Sequence, residues 1–124
     1  MKGKILVVDD EPDVLNLAKI ILMKAGFQVF TANNGDDCLQ RVDSLEPDLI
    51  LLDSIMPGKN GIEVCRTLKS QLNTQEIPIV IFSASGSMNY KSAALEAGAN
   101  GFLSKPFTIK ELTDIITKHY DLIK

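Results

Sequence analysis

Lys4-Ile5-Leu6-Val7-Val8-Asp9-Asp10 reads as a short buried strand that stops at two carboxylates. Aliphatic and β-branched runs of this length, bounded by polar residues, are strand-like. The design recurs: Leu49-Ile50-Leu51-Leu52 ends in Asp53, Ile77-Pro78-Ile79-Val80-Ile81-Phe82 in Ser83, and Gly101-Phe102-Leu103-Ser104 in Lys105-Pro106. With a shorter strand over residues 28–32 and a helical pattern after each run, five strand–helix units fill the chain. Such alternation predicts βαβ units and a parallel sheet. Ligands of open α/β sheets bind beyond the carboxyl ends of the strands. Asp9, Asp10, Asp53, Ser83 and Lys105 are therefore expected at one edge.

The chain has 124 residues, 45% of them hydrophobic, which suits one domain with one core. Its longest apolar stretches are strand length, short of the roughly 20 residues a membrane span needs, and Met1-Lys2-Gly3 runs straight into the first strand, so neither anchor nor signal peptide is expected. A net charge of −3 argues against direct nucleic-acid binding, which depends on clustered Lys and Arg. Cys38 and Cys65 lie outside zinc-motif spacings and within helical patterns. They are expected to be apolar core thiols of a cytoplasmic protein. His119, late in the last helix, reads as a surface or half-buried residue.

The first helix, from about Pro12 to Ala25, places Val14, Leu17, Ala18, Ile21, Leu22 and Ala25 on one stripe, with Gly26 as its stop. Asn33-Asn34-Gly35 turns the chain into a second helix ending near Ser44. The loop Ser54-Ile55-Met56-Pro57-Gly58-Lys59-Asn60-Gly61 is too rich in Pro and Gly to continue a strand or helix. A third helix, about Ile62 to Leu72, carries Ile62, Cys65, Leu68 and Leu72 at helical spacing. The fourth, about Met88 to Ala97, has only Tyr90, Ala93, Ala94 and Ala97 on its inner stripe, so it is the element expected to move most easily. Thr108-Ile109-Lys110-Glu111 has capping-box spacing for the last helix, whose stripe is Leu112, Ile115, Ile116 and Ile123.

In a flavodoxin-like order 2-1-3-4-5 the first and third strands are neighbours, and Asp9, Asp10 and Asp53 share one pocket. Two unit charges 4 Å apart repel by roughly 4 kcal/mol at an effective dielectric of 20, so the cluster calls for a cation or a shared proton. Carboxylate oxygens suit Mg²⁺, which keeps several waters and readily adds phosphate oxygens. Lys105 offers a positive charge and Ser83 a hydroxyl for a phosphoryl group. Asp53 is a candidate nucleophile, as carboxylates are in aspartyl-phosphate chemistry. Singly, each residue has a plainer reading: Asp10 a helix cap, Asp53 a turn cap, Ser83 a solvated strand end, Lys105 a surface charge.

Asp9-Asp10 after the first strand, Leu52-Asp53-Ser54-Ile55-Met56-Pro57-Gly58 with Gly61, Ser83-Ala84 after the fourth strand, and Lys105-Pro106-Phe107 after the fifth form one pattern. On these residues the chain resembles the receiver domain of bacterial two-component response regulators, with residues 1–124 as one such domain. The resemblance implies a (βα)5 three-layer sandwich and a phosphorylation-controlled signalling switch in place of a turnover enzyme. It implies Asp53 as phosphoacceptor, Asp10 and Asp53 as direct Mg²⁺ ligands, Asp9 as an outer ligand through water, and the backbone carbonyl of Ile55 as a third protein ligand. Lys105 would pair with the phosphoryl group and Ser83 be drawn to it, letting Phe102 turn inward. A cis Lys105–Pro106 bond is also implied. Ile55 and Ser85 occupy the positions that influence loss of the phosphoryl group, and an apolar Ile55 implies slow autodephosphorylation.

The implied partners are a sensor histidine kinase or histidine phosphotransfer protein and an output domain or protein acting at the surface of the fourth helix, fifth strand and fifth helix. The chain is expected to be a monomer or a phosphorylation-dependent dimer, away from membranes. A dehalogenase-type phosphatase would need a second Asp where Ile55 stands. Nucleotide binding lacks its glycines, which would fall at Ser85 and Tyr90 before Lys91-Ser92. Flavin binding has only the fold in its favour. An unphosphorylated scaffold would leave the acidic set without a role.

Overall fold

Every residue of β3 (Leu49–Asp53) and β4 (Ile79–Ser83) is buried, as strands covered on both faces must be. The computed structural model describes residues 3–56, 58–83 and 88–121. Readings that fall on Pro57, Ala84, Ser85, Ile123 and Lys124 lie outside the described residues. The other elements are β1 (Lys4–Val8), α1 (Pro12–Lys24), β2 (Gln28–Ala32), α2 (Gly35–Leu45), α3 (Gly61–Lys69), α4 (Met88–Glu96), β5 (Gly101–Ser104) and α5 (Ile109–Asp121). The five strands form one parallel sheet in the order β2-β1-β3-β4-β5.

Alternation along the strands divides the core in two. Leu6, Val8, Ile50, Leu52, Ile79 and Ile81 face α2, α3 and α4, where Cys38, Val64, Cys65, Leu68 and Ala94 meet them. Ile5, Val7, Leu49, Leu51, Val80 and Phe82 face α1 and α5, against Ala18, Leu22, Leu112 and Ile116. Helices on both faces of a parallel sheet make the flavodoxin-like three-layer arrangement expected from the strand–helix alternation.

Helix boundaries follow local chemistry. Asn34 caps α2 by accepting from the Asp37 N–H at 2.8 Å, and Asn60 caps α3 by accepting from the Glu63 N–H at 2.9 Å. The capping box before α5 closes both ways, Glu111 N–H to Thr108 Oγ1 at 3.0 Å and Thr108 N–H to Glu111 Oε1 at 2.9 Å. Gly26 follows α1 at φ 99°, the left-handed conformation that favours glycine.

Three readings need correction. Helix α3 ends at Lys69, not Leu72, because the Ser70 and Gln71 N–H groups turn to the carbonyls three residues back, Thr67 and Leu68, and the Thr74 hydroxyl donates to the Leu68 carbonyl at 2.6 Å. Leu72 therefore lies past the helix and is 87% exposed. Leu17 is 49% exposed, because the buried stripe of α1 is Ala18, Ile21 and Leu22 and Leu17 sits on its flank. His119 is buried, its ring lying over Gly101, where a Cβ would come within 2.7 Å of Nε2.

Cys38 and Cys65 are both fully buried free thiols. Burial, with the nearby Asp37 charge, pushes the Cys38 thiol up to about 12. Burial pushes Cys65 to about 11 against the opposing charges of Lys69 and Arg66. Only the thiolate is nucleophilic, so in the folded protein at pH 8 both should react at least about a hundredfold more slowly with a disulfide reagent than after unfolding. Because the folded values are raised, the stability tied to these thiols is complete below pH 9.0 and is lost as pH rises through 11 to 12. Rapid titration of either thiol in the native state would contradict this packing.

Candidate functional site

The pairing of β1 with β3, Val8 opposite Leu52, brings Asp9 and Asp53 side by side at the carboxyl edge of the sheet. Both follow the residues that alternate toward the α1 and α5 face. Asp9 is 0% and Asp53 4% exposed, whereas Asp10, one residue on, is exposed. Asp10 does not cap α1; the N-cap residue is Glu11, and its N–H is bonded to Asp9 Oδ1 at 2.9 Å. Each of the three carboxylates offers an oxygen, all within 4.8 Å of one another.

Lys105 reaches this pair from the far side of the sheet, its chain held by a backbone bond from its N–H to the Ser83 carbonyl at 2.7 Å. Its Nζ lies 2.8 Å from Asp9 Oδ2 and 3.3 Å from Asp53 Oδ1. The same Nζ stands 4.6 Å from the centre of the Phe82 ring. Register explains that contact, since Phe82 pairs with Asp53 across β3 and β4. The strand-end pattern did not single out Phe82. Its alternation, one residue before Ser83 and on the Asp53 face, was the available signal. The Lys105–Pro106 peptide bond is cis.

Burial raises the Asp53 carboxyl to about 6, and the Asp9 charge adds to the rise, while the Lys105 ammonium and the Ile55 backbone hydrogen bond pull the other way. Burial works against the Lys105 charge, but its hydrogen bond to Asp9 and the charges of Asp53 and Asp9 outweigh this and hold its pKa above the ordinary value. Three carboxylates against one ammonium leave a formal charge of −2 in a largely buried site. Hard oxygen donors with that deficit fit a divalent cation such as Mg²⁺.

Close backbone approach brings Gly61, at the start of α3, back against the end of β3. The Gly61 N–H donates to the Ser54 carbonyl at 3.0 Å, and a Cβ on Gly61 would stand 1.8 Å from the Asp53 carbonyl oxygen. No larger residue fits there without moving Asp53. Lys59 ties the loop to the start of α2 through Asp36 at 2.9 Å. The Ile55 side chain is 52% exposed. Ser83 is fully buried at the end of β4. Phe102 is half-buried against the α3 and α4 side of the core.

Residues 5–117 match the family model described as response regulator receiver domain. Among solved structures, a chain from Chloroflexus aurantiacus J-10-fl described as a response regulator is 31% identical, with a TM-score of 0.94 over 98% of this chain and 99% of the other. The chemotaxis response regulator CheY4 of Vibrio cholerae is 28% identical, with a TM-score of 0.90 over 96% of this chain and 99% of its own. The BeF3-activated N-terminal receiver domain of Klebsiella pneumoniae RstA is 33% identical, with a TM-score of 0.86 over 94% and 97%.

Proposed function

This chain belongs to the response regulator receiver domain family, and from that premise we propose that Asp53 is the residue that accepts the phosphoryl group. Membership makes the chain a phosphorylation-dependent signalling module, not an enzyme of the turnover kind. The observation that supports Asp53 in particular is its position: a carboxylate at a strand end, buried beside Asp9, with the Lys105 ammonium 3.3 Å away.

In the proposed step a carboxylate oxygen of Asp53 attacks the phosphorus of a phosphohistidine on a sensor histidine kinase or histidine phosphotransfer protein. The O–P bond forms as the P–N bond breaks, and the departing imidazole nitrogen keeps the electron pair and takes a proton from solvent. Lys105 holds the transferred oxygens as a point charge. Asp10, Asp53 and the Ile55 carbonyl would hold Mg²⁺ directly, with Asp9 acting through water. When bound, the ion offsets the charge of the carboxylates and the phosphoryl group. Phosphorylation of the chain by small acyl phosphates belongs to the same proposal.

The output follows from Ser83 and Phe102. Ser83 turns its hydroxyl to the new phosphoryl oxygens, and Phe102, on the α4 side of β5, packs further inward. The surface of α4, β5 and α5 then favours a partner domain or protein selective for that state, which raises phosphoryl occupancy reciprocally. No helix among the described residues is long and apolar enough to cross a membrane. We place this exchange in the cytoplasm, with the chain a monomer or a dimer formed on phosphorylation.

The exposed Ile55 side chain cannot hydrogen-bond an attacking water. The phosphorylated chain should therefore lose its phosphoryl group slowly, with a half-life of minutes or longer, and Ile55→Asn should shorten it. A half-life of seconds for the unmutated chain would refute this.

Intact-protein mass after incubation with a small acyl phosphate tests the proposal. A single added phosphoryl group that needs Mg²⁺ and is lost in Asp53→Asn is expected. An adduct that persists in Asp53→Asn would overturn it.

A further inference from the structure

Ser54 is 1% exposed, and its Oγ has no hydrogen-bond partner among the described residues. Buried hydroxyls are rarely left this way, because they lose water and gain nothing in return. Alternation shows which way the side chain faces. Leu52 lies in the core on the α3 and α4 side, Asp53 turns to the opposite face, and Ser54 returns to the Leu52 side. The ladder extends that far, since the Ser54 N–H donates to the Phe82 carbonyl at 3.0 Å.

On β4, Ile79 and Ile81 belong to that same side of the core, and Ser83 follows them. Asp53 pairs with Phe82, so one step further along both strands Ser54 stands beside Ser83. Two buried hydroxyls thus occupy neighbouring strands, one step beyond the proposed phosphoacceptor, and the second of them is the proposed switch.

We propose that Ser54 is a positioning residue for that switch: its hydroxyl donates to Ser83 Oγ when Ser83 gives its own proton to the phosphoryl group on Asp53. A serine hydroxyl has one proton and two lone pairs. Once Ser83 spends its proton on a phosphoryl oxygen, its Oγ becomes a better acceptor, since hydrogen bonds in series polarise one another. Ser54 is a buried donor with no acceptor among the described residues of the unphosphorylated chain. A group satisfied in only one of two states shifts the equilibrium toward that state.

The inference rests on the proposed role of Asp53 and Ser83, and beryllofluoride with Mg²⁺, a stand-in for the phosphoryl group, tests the two separately. In the full chain, Ser54→Ala should leave the melting temperature without beryllofluoride unchanged or raised. It should weaken beryllofluoride binding about five- to tenfold, the size of one hydrogen bond. Ser54→Thr, which keeps the hydroxyl, should retain most of the affinity. In a Ser83→Ala background, Ser54→Ala should have little further effect. Unchanged affinity, or an equal loss with and without Ser83, would overturn the positioning role. An unmutated chain that fails to bind beryllofluoride would overturn the phosphoacceptor assignment, and this inference with it.

Discussion

Replacing Lys105 with methionine is expected to lower the melting temperature of the metal-free protein by on the order of 10 °C near neutral pH. Asp9 and Asp53 are 0% and 4% exposed and share the Lys105 ammonium at 2.8 and 3.3 Å. Removing one partner of a buried ionic cluster costs about 3–5 kcal/mol, because the remaining charges stay out of water without compensation. Part of that cost is avoided by protonating a carboxyl, so the loss should shrink as pH falls toward 5. The Lys105 side of the balance does not change in this range. Its folded pKa is raised, so its contribution is complete below its ordinary value of 10.5 and is lost only at higher pH. Calorimetry of both proteins in a chelator checks this. A difference under about 2 °C at pH 7.5 would mean that the ammonium does not hold the cluster together.

The opposite substitution at the same cluster should stabilise. Asp53→Asn keeps the shape of the side chain and removes the charge that burial and Asp9 both disfavour. The Asp53 carboxyl is raised from 3.8 to about 6. At about 1.4 kcal/mol per unit, ionisation at neutral pH costs the fold roughly 3 kcal/mol. That cost is already net of the Lys105 pairing, and solvent screening at the mouth of the site reduces it. A net gain of about 1–2 kcal/mol, or a rise of several degrees, is expected in the absence of metal. The sign with pH is fixed: a raised folded pKa gives stability that is complete below 3.8 and is lost as pH rises through about 6. The advantage of Asp53→Asn should therefore be near zero at pH 4 and full by pH 7.5. A variant that melts below the unmutated protein at pH 7.5 would contradict the charge account.

These effects trace to residues that strand ends made visible. Parallel strands share a carboxyl edge, so Asp9, Asp53, Ser83 and Lys105 could be placed together from the runs that precede them. Gly26 and the Thr108–Glu111 box marked helix ends by local rules alone. The failures lie where local periodicity stops governing. Leu72 keeps the spacing of α3 but falls after the turn made by Ser70 and Thr74. The burial of His119 depends on Gly101 on another element having no side chain in its way. Phe82 beneath Lys105 and the placement of the Ser54 hydroxyl beside Ser83 both follow from strand register, which no single run specifies.

Reduction of the phosphorylated chain with borohydride, followed by peptide mapping, tests the central claim most directly, because an aspartyl phosphate is an acyl phosphate and is reduced to homoserine. After treatment with a small acyl phosphate and Mg²⁺, homoserine at position 53 and at no other position is the predicted result. Homoserine at Asp9 or Asp10, or a phosphoryl group on Ser54 or Ser83 that survives reduction, would contradict it.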